Sequence, residues 1–212
     1  MSNGYVYTMT DGKVKSRRDK QYGSDCMSSS VAKPIDILLE PTNGCNHSCF
    51  FCGNGGSTRK IERISLDLTR SLLEQAFAMG VRNAGFYGCG EPFLSSDLPS
   101  MIEAAMNLGY GYTYVTSNGS IADEAKLKAV IDAGLSSLKF SINAGRVDSY
   151  KEVHGRDDFK KVLANLRFAA EYGAKRTGKP LILSVSQVNS NKSESEIEIL
   201  REIVKPYVNE FV

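Results

Sequence analysis

The stretch PIDILLEPTNGCNHSCFFC, residues 34–52, places a short apolar run directly before a loop rich in cysteine and glycine. The run between Pro34 and Pro41 has the length and composition of a buried β-strand. The same order of apolar strand, polar loop and helical pattern recurs along the chain. The stretch therefore predicts the first unit of a βα repeat.

Further strands and helices follow this unit in alternation. The predicted strands are 83–88, 112–119, 136–143 and 180–188, and the predicted helices are 65–80, 95–109, 121–134, 157–173 and 193–207. Ser65 is expected to cap the first helix, and the first four helices each end at a glycine. This alternation predicts an α/β fold, a partial (β/α)6 TIM-type barrel made of a parallel sheet with outer helices. Residues 208–212 are expected to open a sixth strand, near which the barrel is truncated.

The composition is that of one ordinary soluble domain with a sizeable core. The chain has 212 residues, of which 42% are hydrophobic and 24% charged, and its formal net charge is +2. This balance gives no general argument for nucleic-acid or membrane binding, and no apolar run reaches the roughly 18–20 residues that span a bilayer. Since the N-terminus lacks the apolar region of a secretory signal, we expect a cytoplasmic protein. Its five cysteines are then metal ligands, catalytic groups or buried thiols rather than a disulfide framework.

The chain is predicted to have two parts. Residues 1–33 are locally basic and rich in Ser and Gly, which is typical of a mobile N-terminal extension. Residues 34–212 hold every predicted strand and helix and form the predicted core. Ending a sheet at 208–212 would leave an open edge, which proteins usually protect. We therefore expect that the core is incomplete at its C-terminus or that something else covers this edge.

Three cysteines follow the first predicted strand with the spacing C-x3-C-x2-C: Cys45, Cys49 and Cys52. Thiolates are soft ligands that favour iron–sulfur clusters, zinc or Cu(I). A [4Fe–4S] cluster has four iron corners, so three cysteines would leave one iron open to an external ligand. An open metal position is typical of catalysis. The alternatives are a zinc site that recruits His47 as its fourth ligand and a set of buried structural thiols, while His47 is otherwise expected to be a surface or loop hydrogen-bonding residue.

The segment LLEPTNGCNHSCFFC (38–52) resembles the cluster loop of the radical S-adenosylmethionine (SAM) superfamily, whose signature is C-x3-C-x-aromatic-C. Phe51 stands at the aromatic position, and its ring is expected to help shield the metal. The resemblance covers most of residues 34–212. It implies that the three cysteines hold a [4Fe–4S] cluster and that the amino and carboxylate groups of SAM occupy the open iron. It also implies reductive cleavage of SAM to a 5′-deoxyadenosyl radical, which abstracts hydrogen from a substrate.

Three later loops resemble further motifs of this superfamily. GCGEPFL (88–94) resembles the Gly-Gly-Glu-Pro motif, TSNGS (116–120) a Thr-Asn-Gly segment and SINAG (141–145) a Ser-x-Asp/Asn-Gly segment. The segment HGRDDF (154–159) supplies an arginine that would pair with the SAM carboxylate. The SAM-binding residues implied by the resemblance are Phe51, Gly88, Cys89, Gly90, Glu91, Ser117, Ser141, Asn143 and Arg156.

Each of these motifs has a plainer interpretation. The loops at 88–94 and 116–120 can be ordinary turns, and Arg156 can be a surface residue near a helix N-terminus. Cys89 departs from the family pattern because it replaces the first glycine, so it is either a tolerated small side chain or a redox group near the cluster. Cys26 matches no family position, while Gln187 or Asn189 are candidates for contacting the adenosine.

The resemblance leaves the substrate open. The motifs are closest in style to members that carry a C-terminal auxiliary-cluster (SPASM/twitch) domain, and no such domain follows in this sequence. Members of that kind act on peptides or proteins or on small metabolites. A flavodoxin- or ferredoxin-like protein is the expected reducing partner. The alternative function is a non-catalytic iron–sulfur or zinc-binding scaffold.

Overall fold

The computed structural model describes residues 34–188 and 194–212, so the predicted extension at 1–33, together with Cys26 and Asn189, lies outside the described residues. Six strands form one sheet in the order β1-β2-β3-β4-β5-β6, and every neighbouring pair is parallel. The strands are β1 Asp36–Leu39, β2 Asn83–Phe86, β3 Tyr112–Ser117, β4 Ser137–Ser141, β5 Ile182–Ser186 and β6 Glu210–Phe211. Within the described residues β1 and β6 do not pair, so the sheet is open. The predicted partial barrel, including its sixth strand, is confirmed.

Six α-helices are present in the described part of the chain. They are α1 Leu66–Ala78, α2 Leu98–Asn107, α3 Glu124–Asp132, α4 Val147–His154, α5 Phe159–Ala174 and α6 Glu194–Val204. Ser65 caps α1 as predicted, because its Oγ accepts a hydrogen bond from the backbone N–H of Leu68 at 3.2 Å. Glycines with positive φ follow α1, α2 and α3, as expected for helix ends that need a left-handed residue. None of the helices within 34–188 and 194–212 is long and apolar enough to cross a membrane.

Two features of the helical layer differ from the sequence prediction. The fourth predicted helix was expected to stop at Gly173, but α5 continues through this residue to Ala174. Gly173 instead serves close packing, since an added Cβ would lie 2.9 Å from the side chain of Leu181. The second difference is α4, a helix of eight residues that the sequence analysis did not predict. It carries apolar residues only at every third position, at Val147, Tyr150 and Val153, which is too short a pattern to stand out.

The two faces of the sheet differ in burial. The register places one buried apolar row across the strands, against the helices: Leu39, Phe86, Val115, Leu138 and Leu183. The opposite row, one residue earlier in each strand, starts with Leu38, which is 51% exposed, and continues through Gly85 and the partly buried Tyr114. The helices thus fix the sheet from one side and leave the other, here called the open face, less covered. All C-terminal strand ends lie along the same edge of the sheet.

Candidate metal and cofactor site

The loops that follow β1, β2, β3 and β4 meet at the C-terminal edge of the sheet. The backbone N–H of Glu91, after β2, donates to the carbonyl oxygen of Gly44, after β1, at 2.8 Å. Asn118, after β3, donates from Nδ2 to Oδ1 of Asn46 in the cysteine loop at 2.9 Å. After β4, the backbone N–H of Asn143 donates to Nε2 of His154 at 3.2 Å, and Nδ1 of the same ring lies 3.2 Å from Nδ1 of His47 in the cysteine loop. The four loops that the sequence indicated separately therefore form one site.

The cysteine loop is held against the end of α4. The backbone N–H of Ser48 donates to the carbonyl of His154 at 3.2 Å, and that of Phe50 donates to the carbonyl of Val153 at 3.1 Å. Gly155 ends α4 with φ +66°, and an added Cβ there would lie 2.2 Å from Oγ of Ser48. Glycine adopts this backbone conformation without strain, and any side chain here would also force the Ser48 hydroxyl to move. The unpredicted helix α4 thus supports the cysteine loop.

Cys45, Cys49 and Cys52 are free thiols of intermediate exposure that lie in one loop. Burial raises the pKa of Cys45, and burial together with the two neighbouring thiols raises the pKa of Cys49 to about 12. The three sulfurs therefore influence each other electrostatically. The three sulfurs nevertheless do not lie close enough together to bind a single ion. Within the described chain, the ligand atoms that all lie within 4.8 Å of one another belong to His47, Cys49 and His154, a set that contains one of the three cysteines. Soft donors spread around more than one ion's coordination sphere fit a polynuclear iron–sulfur cluster.

Glu91 ties the loop after β2 to the loop after β3. Its side chain is buried, and its oxygens accept hydrogen bonds from Ser117 Oγ at 2.7 Å, the Asn118 N–H at 2.8 Å and the Phe93 N–H at 3.1 Å. Burial raises the pKa of Glu91 to about 7 against the opposing effect of these donors. Both carboxylate oxygens thus contact the chain's own donors, and Ser117 is engaged with them. The roles of Glu91 and Ser117 towards SAM remain predictions.

The GCGEP loop shows which of its positions tolerate a side chain. An added Cβ at Gly90 would lie 2.1 Å from the Thr42 carbonyl oxygen, whereas at Gly88 its nearest neighbours would be side-chain atoms of Glu40. Cys89 is exposed, and its backbone N–H donates to Oε1 of Glu40 at 2.7 Å. This placement explains physically how a cysteine fits where the family pattern has glycine. The contribution of these three residues to SAM binding stays a prediction.

The remaining predicted contacts of SAM also face neighbouring parts of the chain. Nδ2 of Asn143 donates to Oγ of Ser141 at 3.2 Å, and Oδ1 of Asn143 accepts from the Val188 N–H at 2.8 Å. Arg156 donates from Nε to the carbonyl of Asn46 at 2.8 Å and is otherwise exposed. Oε1 of Gln187 is buried without a hydrogen-bond partner among the described residues, so a contact with adenosine remains a prediction there. Phe51 is 38% exposed and packs edge-to-face on Phe50, so the predicted shielding of the metal is still a prediction.

A buried polar network that the sequence analysis did not assemble lies under the cysteine loop. His47 is 9% exposed rather than on the surface, and its Nε2 lies 3.2 Å from Oδ2 of Asp158. Although burial acts to raise it, hydrogen bonds from Ser120 and His47 hold the pKa of Asp158 below its usual value. Burial lowers the pKa of His154 to about 3, so this ring is neutral. The signal in the sequence was the histidine inside the cysteine loop, which together with His154 makes up all the histidine of the chain.

This chain belongs to the radical SAM superfamily, because the family model described as "Radical SAM superfamily" matches residues 39–189. Among curated proteins it is 32% identical over 181 residues to "Probable GTP 3',8-cyclase" of Metallosphaera sedula, which covers 84% of this chain and 55% of that protein. It is also 37% identical over 115 residues to "PqqA peptide cyclase" of Xanthomonas campestris pv. campestris, covering 54% of this chain and 30% of that protein. The chain thus spans about half the length of the first of these relatives and less of the second.

Solved structures of the superfamily share the fold. SuiB of Streptococcus suis bound to S-adenosylmethionine superposes with a TM-score of 0.70 at 15% identity, over 100% of this chain and 46% of that chain. A radical SAM methyltransferase from Sphaerobacter thermophilus gives a TM-score of 0.59 at 18% identity, over 82% of this chain and 53% of that chain. Members of the superfamily use a [4Fe–4S] cluster and SAM, and the donor set described above suits such a cluster.

Proposed function

We propose that this chain is the core of a radical SAM enzyme, in which Cys45, Cys49 and Cys52 hold a [4Fe–4S] cluster whose fourth iron binds SAM. The observation that carries the proposal is the placement of three half-buried thiols in the loop after β1, with the loops after β2, β3 and β4 closed around it. When bound, the two cofactors supply reductive cleavage of SAM to a 5′-deoxyadenosyl radical that abstracts hydrogen from a substrate.

The chain's own residues prepare the site for these cofactors. Because burial keeps the thiols of Cys45 and Cys49 protonated at neutral pH, cluster binding releases protons and is favoured by mildly alkaline conditions. The backbone N–H of His47, at 3.5 Å, and Nδ2 of Asn118, at 3.8 Å, are directed at the sulfur of Cys45. Donors at these positions stabilise the thiolate form of a ligand. Glu91 keeps Asn118 in place through its backbone N–H.

The substrate is proposed only as a class. The relatives named above act on GTP and on the PqqA peptide by their names, and a structure of SuiB contains its precursor peptide SuiA. We propose a peptide, a protein or a small metabolite that approaches along the open face of the sheet. On this face the ring centroid of Tyr114 lies 6.0 Å from that of Tyr87 and 5.7 Å from that of Tyr112. A flavodoxin- or ferredoxin-like protein is the proposed electron donor. Free thiols and an oxygen-sensitive cluster suit the reducing cytoplasm, which is the proposed location. The proposed reaction is an oxidoreduction or another SAM-radical conversion.

A metal-binding scaffold is the competing function, and one observation favours it. The ligand atoms of His47, Cys49 and His154 lie within 4.8 Å of one another, which is the size of a single zinc site. The hydrogen bonding of His154 argues against it. A backbone N–H can only donate, so the bond from Asn143 requires an unprotonated Nε2 on His154. The proton of the neutral ring is then on Nδ1, which is the atom that would have to bind the ion.

Anaerobic reconstitution separates the two functions. We expect the purified chain to take up four iron and four sulfide, about one [4Fe–4S] cluster per chain, to give a reduced-cluster EPR signal that SAM perturbs, and to form 5′-deoxyadenosine with dithionite. The Cys45→Ala variant should lose the cluster, while the matched Cys89→Ser variant should keep its iron content. Stoichiometric zinc without iron uptake would overturn the proposal, and a cluster that never cleaves SAM would favour the scaffold.

A further inference from the structure

His154 lies beside one of the proposed cluster ligands and away from solvent. It is 1% exposed at the C-terminal end of α4, and its Nδ1 is 3.3 Å from Sγ of Cys49 and 3.2 Å from Nδ1 of His47. Contacts of this length are hydrogen bonds when one atom carries a proton and the other a lone pair. The direction of each bond therefore depends on where the protons of the two rings are.

The surrounding groups fix the positions of those protons. Nε2 of His154 accepts from the backbone N–H of Asn143, so Nδ1 of His154 carries the proton and is a donor. Nε2 of His47 faces the carboxylate of Asp158 at 3.2 Å, so it carries the proton of that ring, and Nδ1 of His47 is an acceptor. The N–H on Nδ1 of His154 thus points between two acceptors, Nδ1 of His47 and the sulfur of Cys49.

The His154 ring has little freedom to turn away from this position. The ring of Tyr150 stacks on it with centroids 4.1 Å apart and planes 20° apart, and the ring of His47 packs against its edge side at 5.2 Å. Rotating the imidazole by half a turn would put a ring C–H in place of Nε2, which accepts from the Asn143 N–H, and another in place of Nδ1, which faces Cys49, so both contacts would be lost. The fold therefore holds a single N–H donor towards Cys49.

We infer that His154 donates a hydrogen bond from Nδ1 to the sulfur of Cys49 when the cluster is bound, and that this bond raises the reduction potential of the cluster. The inference rests on the proposed function. A metal-bound thiolate can only accept and carries negative charge, so it competes for this N–H better than the neutral ring of His47. Reduction adds further negative charge to the cluster, and a donor at a ligand sulfur stabilises the reduced form more than the oxidised form. His154 is then a positioning residue that sets how readily the cluster accepts its electron.

The test compares midpoint potentials of the reconstituted cluster, measured by EPR-monitored redox titration without SAM. His154→Phe keeps an aromatic ring for stacking on Tyr150 but removes the donor. We expect it to lower the equilibrium constant for one-electron reduction of the cluster about tenfold, which lowers the midpoint potential by about 59 mV. His154→Asn retains an N–H near the Nδ1 position and should recover part of this shift. Ser149→Ala is the matched control on the same helix, because it removes a contact with Glu196 and none with the cysteine loop.

The His154→Phe variant is judged only where it holds the same iron and sulfide per chain as the wild type. A wild-type potential in such a sample would overturn the inference, and so would an equal shift in Ser149→Ala. If His154→Phe does not load a cluster, the wild-type protein decides the question. Pulsed EPR of the reduced cluster, with histidine labelled by 15N in the ring only, should show a weak nitrogen coupling that persists in His47→Gln.

These outcomes separate the inference from the proposed function. Absence of the ring-nitrogen coupling in a wild-type protein that binds its cluster and cleaves SAM would overturn the role of His154 alone. A wild-type protein that binds no cluster at all would overturn the proposed function, and the inference with it.

Discussion

Replacing Gly90 by Ala would drive a methyl group into the backbone of the cysteine loop. The added Cβ would lie 2.1 Å from the Thr42 carbonyl oxygen and 2.6 Å from that of Gly44, whereas real Cβ contacts essentially never fall under 3.0 Å. The two loops would have to separate by about 1 Å, which strains the hydrogen bond from the Glu91 N–H to Gly44. Overpacking of this kind costs about 1–3 kcal/mol, and a lost hydrogen bond about 1 kcal/mol more. We expect a loss of about 3 kcal/mol, which lowers Tm by about 6–12 °C in a chain of this size.

Thermal unfolding of the metal-free, reduced protein followed by circular dichroism measures this effect, and iron content after reconstitution measures its consequence for the site. Two glycines of the same region serve as matched controls. In Gly88→Ala the atoms nearest to the new methyl group belong to the Glu40 side chain, whose end can move although its Cβ, 2.9 Å away, is fixed to the backbone, and in Gly55→Ala nothing lies within 4 Å. The loss of stability should therefore be largest for Gly90→Ala, smaller for Gly88→Ala and absent for Gly55→Ala. A Tm for Gly90→Ala within about 2 °C of the wild type would refute the reasoning, since it would mean that the loops are not in contact as described.

Three further predictions concern single side chains. Burial raises the pKa of Glu91 from 4.5 to about 7, so between these pH values the folded chain binds a proton that the unfolded chain does not. The free energy of unfolding should therefore fall by about 3 kcal/mol as pH rises from 4.5 to about 7. Urea unfolding measures this decline, which the Glu91→Gln variant should lack. Glu196 accepts from the Gly145 N–H at 2.7 Å and pairs with Arg146. Glu196→Gln should therefore loosen the loop after β4 and raise the KM for SAM at nearly constant kcat. An unchanged KM would contradict this role of Glu196. Arg156→Lys should leave Tm within about 3 °C, because only an exposed bond to Asn46 is altered, but should weaken SAM binding about tenfold if the guanidinium holds the carboxylate, which calorimetry can check.

The features that could be predicted from the sequence are those with a local pattern. Apolar runs, helical spacing and the glycines after α1, α2 and α3 indicated the order of strands and helices, and parallel strands imply that their following loops share one edge. Gly173 was misread as a helix end because a glycine in the same pattern can also serve close packing against a distant residue, here Leu181. The network of His47 and His154 could not be predicted, because it joins residues 107 positions apart. Its formation depends on α4, whose pattern is too short to be recognised alone.

The order of the strands also has a consequence for the timing of assembly during translation. Each strand pairs with the one that precedes it in the chain, so the sheet can grow from its first strand as the ribosome delivers the next. Cys49, however, is made 105 residues before His154, which at roughly 5–20 residues per second is about 5–20 s. During that interval the three thiols emerge without the helix that later anchors their loop. The nascent chain is thus most open to oxidation or to capture of a wrong metal at this stage, and delivery of the cluster after α4 has docked would avoid it.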